Sequence, residues 1–431
     1  MATPIFDLTP KQKELRRLIS GPERHCLIYG GSRSGKTFLL CYAIHKRALM
    51  APGSRHAIFQ QTFNGAKVAV ALDTYPKMAG LADPEIKLAL NRTDWFFEYP
   101  NGSEVWIGGL ESKERADKIL GREYATMYAN ECSRLAYEAI VTARSRLAQV
   151  CDKIDGRPLA QKFYYDLNPT VQSHWTFQEF VRKVSPGSGS PVEGRVFGIA
   201  NPDDNPHLAE DYLADLASMP IAQRARFFEG KFLTELPGAL WTLKMIEEAM
   251  LPSNHQIGEG RTVVAIDPPV TAEGDECGIV GARLIGHPSS GMGYVLADRS
   301  AGGLTPKGWA ERAVALYAEL KADRVVIEVN QGGDMAEQTL RQVKPNLPIT
   351  RVHASKGKLV RAEPVSALYE KGRVKHVGGF SELEAQMTTY TGDRSQGSPD
   401  RLDALVYALT DLFKLGEEAP FAMQKRLTGL V

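Results

Sequence analysis

The sequence predicts an α/β protein built as two domains, and three observations carry that prediction. Residues 1 to 235 alternate short apolar runs with helical patterns, as strands alternating with helices do. The alternation lapses over 236–260 and restarts with "RTVVAIDPP". At 431 residues the chain is also too long for one ordinary core. The expected division is a first domain over 1–235, a linker over 236–260 with one helix inside it, a second domain over 261–416 and a tail over 417–431.

The bulk figures narrow the class. An apolar share of 43% with 24% charged residues belongs to a soluble globular protein. No apolar run approaches the roughly 18 residues of a membrane-spanning helix. The opening "MATPIFDLTPKQKELRR" lacks the apolar centre of a signal peptide. Five scattered cysteines without C-x-x-C spacing point to reduced thiols, against zinc and a disulfide framework. A net charge of +1 leaves any nucleic-acid surface local.

In the first domain the expected strands are "HCLIYG" (25–30), "HAIFQQ" (56–61), "EVWIGG" (104–109), "ATMYAN" (125–130) and "KFYYDL" (162–167). The first runs into "GGSRSGKT", where Gly30, Gly35, Lys36 and Thr37 fit G-x-x-x-x-G-K-[ST]. Such a loop turns the backbone N–H groups of Gly30, Gly31, Ser32, Ser34 and Gly35 toward phosphate oxygens, and the helix after it adds its positive end. Lys36 is expected to neutralise the β and γ phosphates of ATP, and Thr37 to bind its Mg²⁺.

Hydrolysis also needs a carboxylate that orients water. The strand "ATMYAN" ends in Asn130-Glu131, and Glu131 is the candidate. Asn130 stands where an Mg²⁺-supporting aspartate is usual, so Asn130→Asp is expected to keep or raise ATPase activity. Arg33 either reaches the γ-phosphate in cis or is a solvated loop side chain. Asn168, after the strand "KFYYDL", is a candidate sensor of the γ-phosphate. Arg144 and Arg146 are candidate fingers reaching a neighbouring subunit, or a solvated helix face.

The second domain opens with three expected strands, "TVVAID" (262–267), "CGIVGARLI" (277–285) and "GYVLAD" (293–298). A helix follows, with Thr305 as cap, Pro306 at its first position, and Trp309, Ala313, Leu316 and Leu320 on one face. "RVVIEVN" (324–330) reads as a buried strand, and "PITRVHA" (348–354) as another. This is the element order of a ribonuclease H-like fold.

The acids of this half carry the second chemistry. Asp267 ends an apolar strand, Glu328 lies in another, and Asp400 and Asp403 share one face of a helix in "SPDRLDAL". Buried acids that converge repel one another unless cations lie between them. Two Mg²⁺ or Mn²⁺ ions held for phosphodiester cleavage explain such a set, with either Asp400 or Asp403 as the helix ligand. Asp275, Glu276 and Asp298 are auxiliary candidates. The stretch 351–375 carries seven Lys or Arg and two Glu, a net +5, and is either a track for a phosphate backbone or a solvated face.

Taken together, these segments resemble the large terminase subunits of tailed bacteriophages. The resemblance runs through "GGSRSGKT", "GLESKERADKILGREYATMYANE", "NPTVQSHW", "DDNPHL", "AIDPP", "VIEVNQGGD", "GKLVRAEPVSALYEKGRVKHV" and "SPDRLDAL". It implies a RecA-like ATPase domain followed by a ribonuclease H-like nuclease domain. It also implies double-stranded DNA, a portal protein and a small terminase subunit as partners. The setting it implies is a ring of five subunits on a procapsid, in the cytoplasm of an infected host, with no membrane. By position it assigns Gln12 to adenine recognition, Gly30 to Thr37 to the phosphates, Asn130 and Glu131 to the second nucleotide motif, and Asn168 to coupling. Asp267, Glu328 and Asp403 match the nuclease acids, with Asp400 as the alternative. The last segment, "EEAPFAMQKRLTGLV", leaves a brief tail for the portal. Two other classes fit parts of the pattern: a repair helicase–nuclease, and a nucleotide-gated DNA-binding module without catalysis.

Overall fold

The computed structural model describes residues 6–110, 119–269, 276–329, 333–352, 357–392 and 398–415. It contains two eight-stranded sheets. The first comprises β1 (His25–Tyr29), β2 (Arg55–Gln60), β3 (Ala89–Asn91), β4 (Phe96–Glu98), β5 (Glu104–Gly109), β6 (Thr126–Ala129), β7 (Lys162–Leu167) and β8 (Arg195–Ile199). Their order is β3-β4-β5-β2-β6-β7-β1-β8. From β5 to β8 every pairing is parallel, and β3 and β4 add an antiparallel margin.

Every residue of β1, β6 and β7 is buried, because helices and loops cover both faces of the sheet. Cys26 and Ile28 point into one apolar layer with Ile44 and Tyr75. Leu27 and Tyr29 point into the other, with Ile140 and Trp175. A strand wanted by two cores reads as an unbroken apolar run, so these three were legible. The short β3 and β4 and the half-buried β8 carry no such run and were not expected.

The second sheet comprises β9 (Met250–Leu251), β10 (Arg261–Asp267), β11 (Glu276–Ile285), β12 (Met292–Asp298), β13 (Ala301–Gly302), β14 (Arg324–Glu328), β15 (Ile349–Val352) and β16 (Val374–Val377). The order is β15-β14-β10-β11-β12-β16-β9, with β13 paired to β11. β11 runs antiparallel to both of its neighbours, β10 and β12, and β14 and β15 lie parallel on the other side of β10. That is the ribonuclease H-like arrangement. The helix Asp400–Phe413 crosses β10 and β11. β11 can take it closely because residue 278 is glycine: a Cβ there would lie 2.0 Å from the Asp400 carbonyl oxygen.

The helix Pro306–Glu319 starts as its sequence requires, with Thr305 Oγ1 accepting the Gly308 N–H and Pro306 in the first turn. β14 ends at Glu328 and leaves out Val329, so Glu328 closes the strand and is half-buried; Asn330, also expected in this strand, lies outside the described residues. Trp241, Ile246 and Ala249, from the segment 236–260, pack with Val263, Ala265, Leu405 and Leu409 in the second domain's core. Among the described residues, no helix is long and apolar enough to cross a membrane.

Candidate active sites

The strand order places β6, β7 and β1 side by side, so their carboxyl ends open into one place. The loop after β1 begins at Gly30, with φ +144°. A Cβ there would fall 1.9 Å from the Ala200 carbonyl oxygen, which excludes every other residue. Asn201 and Asn205 brace the loop from the side. Asn201 Oδ1 accepts the Gly31 N–H at 3.0 Å, and Asn205 Nδ2 donates to the Arg33 carbonyl at 2.7 Å. Gly35 then caps the helix Lys36–Met50.

Lys36 is buried, and its ammonium donates to the Gly30 and Gly31 carbonyls, to Ser34 Oγ and to Asn168 Oδ1. Burial lowers its pKa to about 8, while Asp166 and Glu131 pull it back up. Ser32, Arg33, Ser34, Gly35, Lys36, Thr37, Asn130, Glu131 and Asn168 all line one cleft of about 740 Å³, in the range of a nucleotide site. Glu131 stands in it with a left-handed backbone, φ +52°, as does Arg33 at φ +55°. Non-glycine residues held this way concentrate at functional sites. Arg33 is exposed.

Gln12 lies behind the loop: its Oε1 accepts the Thr9 N–H and its Nε2 donates to the Gly35 carbonyl at 3.4 Å. Arg144 is not on a solvated face. It is paired with the fully buried Glu179 at 2.9 Å and donates to Tyr165 Oη. That network holds it within its own subunit, whereas Arg146 is exposed.

In the second domain Asp267 ends β10, and one turn of the helix Asp400–Phe413 brings Asp400 and Asp403 to it. Ligand oxygens of the three lie within 4.8 Å of one another, and the residues are 8%, 8% and 3% exposed. Both helix acids therefore stand in the cluster with Asp267. Burial first, then the neighbouring acids, pushes Asp267 well above the usual carboxylate range. Asp403 is also raised by burial, against the pull of Lys358. Burial raises Asp400 to about 6. Glu328 flanks the cluster, sharing a hydrogen bond with Asp267 and accepting the Tyr407 hydroxyl at 2.5 Å.

Two cations of the basic stretch turn inward. Lys358 Nζ is 2.5 Å from Asp403 Oδ2, and Arg361 reaches the other oxygen at 3.9 Å. Arg361 also donates to Tyr407 Oη. Glu276 and Asp298 are instead held by the buried Arg401, at 3.0 and 2.8 Å. Asp275 lies outside the described residues, as do 353–356 of the basic stretch. Three close, buried carboxylates of hard oxygen fit Mg²⁺ or Mn²⁺.

Residues 27–248 match the family described as "Terminase large subunit, T4likevirus-type, N-terminal". Residues 264–412 match "Terminase RNaseH-like domain". The chain belongs to the terminase large-subunit family. It is thus a genome-packaging motor subunit with an ATPase domain and a nuclease domain, and it works with DNA and the packaging machinery.

Among solved structures, the large terminase of one thermophilic bacteriophage is 15% identical, with 94% of this chain and 99% of that chain covered and a TM-score of 0.46. The HK97 bacteriophage large terminase is 13% identical, with 94% and 95% covered and a TM-score of 0.44. The large terminase nuclease of thermophilic phage G20c is 14% identical over 40% of this chain and 98% of that chain, with a TM-score of 0.32. No curated protein matches.

Several side chains of these two clusters were not singled out from the sequence, although Lys358 and Arg361 belong to the basic stretch 351–375. Asp166 lies in the phosphate cleft, Lys358 and Arg361 reach Asp403, Tyr407 bonds Glu328, and Arg401 holds Glu276 and Asp298. Asp166 carried a signal: an acid inside the buried run "KFYYDL" is costly without partners, the argument that singled out Glu328. Tyr407 carried one too, four residues after Asp403 and hence on its helix face.

Proposed function

We propose that this terminase large subunit hydrolyses ATP to drive double-stranded DNA through a portal into a procapsid. We further propose that it cuts concatemeric DNA at the second site. In the first site the N–H groups from Gly30 to Thr37 would receive the phosphates, and Lys36 would exchange loop carbonyls for phosphate oxygens. Thr37 would hold the Mg²⁺ of the substrate. Glu131 would orient the attacking water, Arg33 would meet the γ-phosphate, and Gln12 the adenine. Asn168, bonded to Lys36, would sense whether the γ-phosphate is present.

In the second site Asp267, Asp400 and Asp403 would hold two Mg²⁺ or Mn²⁺, with Glu328 beside them. Bound there, such a pair supplies an activated water and neutralises charge on the phosphodiester. The chain's own side chains would do the rest. Tyr407 and Glu328 would fix Asp267, and Lys358 and Arg361 would draw in the DNA backbone.

In this reading the motor is 1–235, the linker 236–260, the nuclease 261–416, and 417–431 meets the portal. A small terminase subunit would deliver the DNA, and five copies would form the ring in the host cytoplasm. Arg146, exposed in the turn that follows the helix Tyr137–Arg144, would be the finger that reaches the neighbour. The observation that carries the reading is the pairing of a complete phosphate cleft with a separate, buried three-aspartate cluster in one chain.

ATP turnover with and without DNA, measured beside plasmid nicking in Mg²⁺ or Mn²⁺, tests it. Both activities are expected. ATP turnover without metal-dependent nicking would favour a gated DNA-binding module. ATP-driven strand separation would favour a helicase–nuclease.

A further inference from the structure

The second nucleotide motif lacks its aspartate, because Asn130 stands in that place. The cleft nevertheless contains a buried acid that no motif assigns. Asp166 is the penultimate residue of β7, 2% exposed. β6 and β7 run parallel in register, Ala129 opposite Tyr165, so Asp166 falls level with Asn130. Its two oxygens have different partners. Oδ2 accepts the Thr37 hydroxyl at 3.1 Å. Oδ1 accepts Asn130 Nδ2 at 2.9 Å and the Glu131 N–H at 2.8 Å.

The amide of Asn130 is itself oriented. Gln60 Nε2 donates to its Oδ1 at 2.6 Å, which leaves its Nδ2 facing Asp166 and Tyr128 Oη. Asn130 thus donates where an aspartate could only accept. With a carboxylate at 166, an amide at 130 is the residue that avoids two anions in contact.

We propose that Asp166 is the metal-positioning carboxylate of the ATPase site, moved one strand over from its usual place. It acts through the Thr37 hydroxyl, and through the Glu131 N–H it also sets the left-handed turn that aims Glu131. Asn130 orients Asp166 rather than the metal. The inference rests on the ATPase reading and concerns only which side chain supplies the negative charge beside Thr37.

The test is calorimetric binding of ADP to the full chain, with Mg²⁺ and with EDTA, which needs no turnover. In Asp166→Asn the gain in ADP affinity that Mg²⁺ confers should fall about 10–100-fold, as on loss of a residue that orients a metal ligand. ADP binding in EDTA and metal-dependent nicking should stay within a few-fold of the parent. The double variant Asn130→Asp/Asp166→Asn returns the charge to the neighbouring strand and should recover much of the Mg²⁺ effect.

An unchanged Mg²⁺ effect in Asp166→Asn overturns the proposal. So does an equal loss with EDTA or a parallel loss of nicking, since either marks a structural role. If Asp166→Asn does not fold, the double variant decides alone: Mg²⁺-dependent ADP binding supports the proposal, and its absence overturns it. A parent that binds no ADP at all would instead remove the ATPase reading.

Discussion

Lys358 Nζ and Asp403 Oδ2 are 2.5 Å apart, an ion pair that sets a cation of the basic stretch against the nuclease acids. The ammonium offsets part of the charge that a divalent ion would otherwise neutralise. Lys358→Met should therefore strengthen metal binding several-fold, because the ammonium in direct contact with Asp403 is gone and only the more distant Arg361, at 3.9 Å, remains beside it. Mn²⁺-induced thermal shifts measure this. Weaker or unchanged Mn²⁺ binding would show that the pair does not compete.

Asp267→Ala should abolish DNA cleavage by orders of magnitude while ATP turnover stays near the parent's. The phosphate cleft lies on the other sheet and shares no lining residue with the acids. Asp400→Ala and Asp403→Ala should both behave alike, since the three acids converge. Conversion of supercoiled plasmid, beside phosphate release, is the readout. Full cutting by Asp400→Ala would remove it from the ligand set.

Acid should stabilise the metal-free nuclease cluster. Asp400 is raised from 3.8 to about 6 by burial. Between these values the folded state holds a proton that the unfolded chain releases, so this contribution grows as pH falls through 6 and is absent at neutral pH. Mg²⁺ must displace that proton, so its stabilising effect should shrink over the same window. Asp400→Asn should raise the metal-free Tm at pH 7 and flatten its rise toward acid. The same pH response in parent and variant would refute the assignment.

Lys36→Ala should eliminate ATP hydrolysis, because the γ-phosphate loses its fixed counter-charge. The fold should hold: the lysine bonds two loop carbonyls and the side chains of Ser34 and Asn168, all at the cleft, and its burial already disfavours its charged form. Retained nicking by the purified variant would confirm a folded chain. Parental ATP turnover would show that another loop is the active one.

Asn130→Asp, read from sequence alone, should keep or improve activity. The structure reverses that expectation. The new carboxylate would face Asp166 Oδ1 across the 2.9 Å now spanned by a donated hydrogen bond. ATP turnover should fall, and restoring the donor–acceptor pair with Asn130→Asp/Asp166→Asn should raise it again. Activity at or above the parent's in the single variant would rule out the repulsion.

Much of the fold was legible because its central strands are wanted by two cores at once. β1, β6, β7 and β10 stand out as apolar runs in the chain. β3, β4 and β8 are short or half-exposed, so burial leaves no pattern in them. The phosphate loop was legible for a different reason: its chemistry is local, with glycines, lysine and threonine inside one turn. Arg144 shows the opposite case. Its helix position reads as surface, yet Glu179, 35 residues further on, buries it.

The sequence by itself determined the two chemistries and their order, because a phosphate loop and the acids at strand and helix ends are written in contiguous residues. Only the tertiary structure decided which side chains complete them. Asp166 serves the first site because β7 lies beside β6, and Lys358 serves the second because its helix packs against the one carrying Asp403. Spacing along a chain cannot reveal such partners. A carboxylate's partner is set by distances of about 3 Å in space, and strand order and helix packing, not chain separation, bring those atoms together.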